Sequence, residues 1–213
     1  MATARGTAEQ LHGPDAPAFD RRLVRVCEVT EPAIVLGSTQ PAGHVRAGAE
    51  VSVVRRRTGG GAVWVAPGDP VWVDVVVPAG DRLWDDDVGR AVWWLGDAWA
   101  AALADLALAP AGVHRGPMVR SRWSAHVCFA GLGPGEVTIE GRKVVGVAQR
   151  RTRAGALFQC AAPCRWDPGP LLAALDLTGD ERAAARADLA GAVTSIGAGR
   201  GGDLAAALLG HLP

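Results

Sequence analysis

Among the 22 basic residues of this chain there is one lysine, Lys143, and every other cation is an arginine. A sequence that solvates itself with guanidinium groups and keeps a single ammonium points to a position needing a compact point charge rather than a planar fork. An arginine excess set by codon usage, with one surviving surface lysine, is the competing reading. A second concentration of chemistry is Val54-Arg55-Arg56-Arg57-Thr58-Gly59-Gly60-Gly61-Ala62-Val63-Trp64, a strand that runs into a triple glycine and out into another strand. Three glycines let the backbone turn tightly and approach a ligand, and their N–H groups suit a phosphate or carboxylate. Arg55 or Arg56 supplies the matching charge. Standing alone, the triplet also reads as a flexible hairpin. No Gly-Lys-Ser/Thr follows it, and neither its spacing nor its context is that of a dinucleotide fingerprint.

Cys128, in Val127-Cys128-Phe129, precedes Lys143 by 15 residues. As a thiolate near an ammonium it could serve as a nucleophile; as a thiol it could equally be a small buried hydrophobe. His126 lies two residues before it, which on a strand puts both side chains on one face and makes His126 a candidate base. Cys160 and Cys164 have a metal-like interval but no second pair or nearby histidine, so no metal site is expected. His12, His44, His114 and His211 form no recognisable ligand pair, and the eight tryptophans read as core or tunnel lining.

These residues need elements to hold them. Residues 1–22 read as an irregular arm, and 23–213 as one domain. Short β-rich runs separated by Gly and Pro predict strands at 23–29, 33–37, 50–55, 62–65 and 71–77. The last alternates poorly, as a strand covered on both faces does. Apolar residues at Val88, Val92, Leu95, Trp99, Ala102, Leu103 and Leu106 predict an amphipathic helix over about 86–108, with Asp85, Asp86 and Asp87 against its positive end. Further strands are expected near 118–122, 136–140, 143–149 and 156–160. Closing helices are expected at 168–175, from a Thr178–Glu181 capping box onward, and at 203–209. The pattern is α+β.

Composition removes several classes. A chain of 213 residues with 49% apolar residues can build a sizeable core. Zero net charge lacks the footprint of a nucleic-acid binder. No apolar stretch is long enough to span a bilayer, and the N-terminus lacks an apolar segment behind Arg5, so a cytoplasmic location is expected, away from membranes. Four unevenly spaced cysteines fit free thiols in a reducing compartment.

Three segments in order carry a resemblance to the lipoate-protein ligase and octanoyltransferase family. Arg55-Arg56-Arg57-Thr58-Gly59-Gly60-Gly61-Ala62-Val63 resembles its Arg-Arg-x-Ser/Thr-Gly-Gly-Gly-Ala-Val signature. Ile34-Val35-Leu36-Gly37-Ser38-Thr39-Gln40 is similar to its upstream strand and Gly-x-x-Gln turn. Gly141-Arg142-Lys143-Val144-Val145-Gly146-Val147-Ala148-Gln149 resembles its Gly-x-Lys-x-x-Gly-x-Ala-Gln element, whose lysine is the essential residue. The resemblance implies a biotin/lipoate ligase-type catalytic domain, a mixed and mostly antiparallel sheet flanked by helices, with the acyl chain in an apolar tunnel.

By the same resemblance, lipoate or octanoate and ATP with Mg2+ would form an acyl-adenylate, and the acyl group would pass to a lysine of an apo lipoyl-domain or glycine cleavage H-type carrier. Arg55, Arg56, Gly59, Gly60, Gly61, Ala62, Val63, Trp64, Gly146, Val147 and Ala148 would line the adenylate site, and Lys143 would contact phosphate and acyl carbonyl. Val127-Cys128-Phe129 resembles the site of one octanoyltransferase branch, which implies a rival: octanoate taken from acyl carrier protein as a Cys128 thioester, without ATP. Family members usually carry Gln-His-Gly-Ser/Thr where this chain has Gln159-Cys160-Ala161-Ala162, which leaves a third reading, a diverged acyl- or partner-binding domain without chemistry. The expected chain is a catalytic domain without the C-terminal accessory domain of many ligases, leaving room for a separate accessory subunit.

Overall fold

A computed structural model of the chain describes residues 2–13 and 18–213. Its strands are β1 (Ala2–Gly6), β2 (Leu23–Val29), β3 (Ala33–Leu36), β4 (Ser52–Arg55), β5 (Val63–Val65), β6 (Val71–Pro78), β7 (Ala111–Val113), β8 (Val137–Ile139), β9 (Arg142–Arg151) and β10 (Gly155–Ala162). The helices are α1 (Ala8–His12), α2 (Trp93–Asp105), α3 (Gly169–Ala174), α4 (Gly179–Ala192) and α5 (Gly201–His211). Seven strands form one sheet in the order β1-β2-β6-β10-β9-β8-β7, antiparallel except for β1 on β2. A second sheet has the order β4-β3-β5, with β3 parallel to β4 and antiparallel to β5.

The run Val71-Trp72-Val73-Asp74-Val75 fails to alternate because both faces of β6 are covered. Val71, Val73, Val75 and Val77 face α2 and α5 and meet Leu95, Trp99, Leu103, Leu204 and Leu208. Trp72 packs the other way, against Val35 and Val65 of the small sheet and Leu11 of α1. β3 is sandwiched in the same manner: Ala33 and Val35 turn toward Trp72, whereas Ile34 and Leu36 pack on Leu171, Leu172 and Leu175 of the α3 region and Leu189 of α4. Fully burying such a side chain stabilises the fold by about 1.5–3 kcal/mol. The space between the two sheets is where the glycine loop arrives.

Three expectations are corrected. The N-terminal arm is ordered over residues 2–12: β1 extends the sheet, and α1 starts at a capping box in which Thr7 Oγ1 accepts from the Gln10 N–H while Gln10 Oε1 accepts from the Thr7 N–H. The long helix begins at Trp93 rather than near 86. Asp87 Oδ1 accepts instead from the Gly89 and Arg90 N–H groups at 2.8 and 2.9 Å, a local turn that competes with helix. Residues 118–122 form a loop rather than a strand, with one isolated bridge, Val119 to Leu132, and an ion pair from Arg122 to Asp188. The Thr178–Glu181 capping box is present with both bonds. No helix among the described residues is long and apolar enough to cross a membrane.

Candidate active site

Lys143 enters the site through an irregularity in β9. Val137 pairs with Val145 and the next residue, Thr138, with Lys143, so one extra residue bulges out of β9 between them. Without the bulge, Lys143 and Gly146 would alternate onto opposite faces. With it they share one: a Cβ on Gly146 would lie 3.6 Å from Lys143 Nζ. The ammonium donates to the carbonyls of Gly131 and Cys128 at 2.9 and 3.2 Å, and sits 5.0 Å above the Phe129 ring.

The partner that sequence reasoning missed is Glu136, whose Oε2 is 2.6 Å from Lys143 Nζ, with both side chains almost wholly buried. Glu136 also accepts from the Gly133 N–H at 2.7 Å and the Val147 N–H at 3.0 Å. A buried carboxylate with three donors holds the lysine, the 131–136 loop and β9 in one geometry. The lone lysine was the available signal, since a buried cation requires a nearby anion.

The glycine loop is built by close approach. A Cβ on Gly37 would collide with the Gly60 carbonyl, and one on Gly61 would come within 2.6 Å of the Cys128 nitrogen. Gly60 has φ +98°, a conformation side chains disfavour. Ala62 forms a parallel bridge with Val127 across this contact: Ala62 N–H donates to His126 O and Cys128 N–H to Ala62 O. The arginines are scaffolding here. Arg56 is buried and donates to the carbonyls of Gly59, Gly61 and Val35, while its Nε has no partner among the described residues. Arg55 turns back to the Gly37 and Gln40 carbonyls of the Gly-x-x-Gln turn. Gln40 itself accepts from Gly37 N–H and donates to Ala125 O, tying that turn to the segment that carries Cys128.

These pieces meet at a narrow, mainly apolar slot of about 50 Å³, bordered by Val35, Arg56, Val63, Cys128, Phe129, Gly146 and Ala148. Cys128 Sγ would lie 3.6 Å from a Cβ on Gly60, so the thiol faces the glycine loop. Ala62 and Trp64 border an adjoining groove with Trp166. Arg55 and Val147 are not brought in: Arg55 is committed to the 37–40 turn, and Val147 packs on the helix side of β9 by the ordinary alternation. His126 is in a turn, so the shared strand face with Cys128 does not exist; its ring stacks on His44, whose pKa is lowered by burial and by His126.

Cys128 is partly exposed, whereas Cys27, Cys160 and Cys164 are buried. Burial pushes the Cys27 and Cys160 thiols up to about 12. Cys160, where the resembling family has histidine, faces the α2 core. Gln159 points the other way, accepting from Thr58 Oγ1 at 2.9 Å and donating to Asp74 at 3.2 Å.

The two sheets carry a glycine loop closed over the buried Lys143–Glu136 pair, and sequence comparison gives the class of the domain. Residues 8–206 match the lipoyl protein ligase A/B catalytic domain, and the chain belongs to that family. Its fold is similar to that of a lipoate-protein ligase A bound with ATP, at 20% identity and TM-score 0.64 over 90% of this chain and 71% of that one. Protein Ta0514 from T. acidophilum, solved with lipoic acid, matches at 20% identity and TM-score 0.65 with the same coverage. The bi-partite lipoate protein ligase of Thermoplasma acidophilum, studied with its E2 lipoyl domain, matches at 18% identity and TM-score 0.73 over 99% of this chain and 80% of that one. No curated protein matches the sequence.

Proposed function

We propose that this chain attaches lipoate or octanoate to a lysine of a lipoyl-domain carrier through an acyl-adenylate. One observation carries the reading: the triple glycine, Lys143 and a mainly apolar slot converge in one place. The carboxylate oxygen attacks the α-phosphorus of Mg-ATP and pyrophosphate leaves. The carrier lysine, as free amine, then attacks the acyl carbonyl, AMP leaves with the C–O bonding pair, and the amine loses its proton. Gly59, Gly60 and Gly61 offer backbone donors, and Arg56 holds their loop in place. Lys143 exchanges one of its two carbonyl contacts for the acyl oxygen, where its charge stabilises the negative charge that develops. Glu136 keeps the ammonium in position. An apo lipoyl domain is the preferred carrier because a similar structure was studied with one, and a glycine cleavage H-type carrier is the alternative. That ligase is bi-partite, which motivates a separate accessory subunit here as well.

A second reading rests on Cys128, the partly exposed thiol beside Gly60. It would take octanoate from an acyl carrier protein as a thioester without ATP. Intact-protein mass spectrometry separates the two readings. Octanoate with Mg-ATP giving pyrophosphate and an acylated carrier, unchanged in Cys128→Ser, supports the ligase. An octanoyl adduct from octanoyl-acyl carrier protein alone, lost in Cys128→Ser, overturns it in favour of transfer.

A further inference from the structure

The slot beside Lys143 is too small for the acyl group that the proposed function requires. Space for one water takes roughly 10–15 Å³ of such volume, so about 50 Å³ admits roughly four methylene-sized groups. An eight-carbon chain exceeds that, and its remaining carbons need another room. A second cavity of about 480 Å³ adjoins the slot, and His12 and Gln159 border both. Its lining is mixed: Leu11, Leu23, Val76 and Leu157 offer apolar surface for the chain, and Asp20, Arg21, Arg25, Arg57 and Asp74 supply charge.

The two bordering residues are held very differently. Gln159 is fixed at both ends of its amide, by Thr58 and by Asp74, which is itself paired to Arg25 at 2.6 Å and to the Trp72 indole N–H at 2.7 Å. His12 ends α1 and is stacked on the Trp72 ring with centroids 4.7 Å apart, and its ring makes no hydrogen bond to any described residue. Rotating its side chain therefore breaks a stack and no hydrogen bond. Burial first, then the guanidinium groups of Arg56 from the glycine loop and Arg25 from β2, keep the imidazole uncharged at neutral pH.

We infer that His12 is the movable side of a neck, opposite the fixed Gln159, through which the acyl chain passes from the slot to the larger cavity, so that His12 determines how wide and long a chain this protein accepts. The inference rests on the acyl-transfer reading and adds a specificity residue to it. Isothermal titration with sodium butanoate, octanoate and 7-methyloctanoate, with and without Mg-ATP, tests it in the wild type, His12→Trp and His12→Ala. His12→Trp should weaken octanoate at least tenfold and leave butanoate within twofold, because four carbons stop short of the neck. His12→Ala should improve 7-methyloctanoate relative to octanoate at least threefold. Wild-type ratios retained by both variants would overturn the neck while leaving acyl transfer intact. Should His12→Trp fail to fold by circular dichroism, the branched-chain ratio of His12→Ala decides alone. A wild-type chain that binds none of the three acids would instead overturn the acyl-transfer reading itself, and the neck with it.

Discussion

Replacing Glu136 by Gln keeps the side chain's shape and removes its charge. In the folded chain this strands the Lys143 ammonium at 4% exposure. It also exchanges one accepting oxygen for an NH2 group facing donors, since Gly133 N–H, Val147 N–H and Lys143 all point at the carboxylate. Breaking a buried pair by removing one partner costs about 3–5 kcal/mol. For a chain of this size that lowers the melting temperature by about 6–20 °C, at roughly 2–4 °C per kcal/mol. Urea unfolding of Glu136→Gln, Lys143→Met and the double variant Glu136→Gln/Lys143→Met gives the coupling energy. The double variant should be less destabilised than the sum of its singles by at least ~2 kcal/mol, because no charge is left unpaired. A cost below ~1 kcal/mol for Glu136→Gln, with coupling near zero, would show that water reaches the pair and would refute the claim that Glu136 fixes the lysine. Acyl transfer should fall sharply in both single variants, and the double variant should recover stability without recovering turnover.

Gly61→Ala places a methyl against the Val127–Cys128 backbone and should cost about 1–3 kcal/mol, the usual price of overpacking, with loss of ligand binding by titration. Iodoacetamide at pH 8 should label one thiol in the folded protein, Cys128, and none in Cys128→Ser, because the other three are buried; labelling that is equally fast at Cys160 would contradict the packing of β10. His12 titrates near 4 when folded against 6.5 ordinarily, so between those values the unfolded chain binds the proton that the folded chain refuses. Stability should therefore decline as pH falls from about 6.5 and level off near 4, by about 3 kcal/mol at most, and His12→Gln should flatten that part of the urea-midpoint profile.

What was readable in the sequence follows from which interactions are local. Leu23–Val29 was bounded by turn residues and appears with those limits, and Thr178 with Glu181 specified the start of α4 through bonds within one turn. β1 was not readable: Ala2-Thr3-Ala4-Arg5-Gly6 has weak strand propensity and forms a strand because β2 offers it a parallel edge. The Thr7–Gln10 capping box of α1 is a local signal, but it is set among Ala, Gly, Pro and Asp residues whose composition is that of a loose arm. The helix at 93–105 was shorter than its apolar periodicity because Asp85 and Asp87 use their oxygens on local N–H groups, a competition that spacing alone does not weigh.

At the site, residue identity travelled further than residue geometry. The family resemblance marked Lys143, Gly60 and Cys128, but nothing in Arg142-Lys143-Val144-Val145-Gly146 says that Lys143 and Gly146 share a face. Strict alternation would put them on opposite sides, and it correctly sends Val147 to the core while keeping Ala148 at the slot. The bulge changes the parity between residues 143 and 146, so the lysine's direction depends on how β8 pairs with β9. The same bulge leaves Val144 and Val145 both buried against the helix side, an arrangement two consecutive strand residues do not reach by regular pleating. Deleting Val144 would remove the bulge yet leave Lys143 two residues before Gly146, so ordinary alternation would keep the lysine on the slot face beside Glu136. In urea unfolding the deletion should cost less stability than Lys143→Met, because it gives up one buried valine while the buried ion pair keeps both partners.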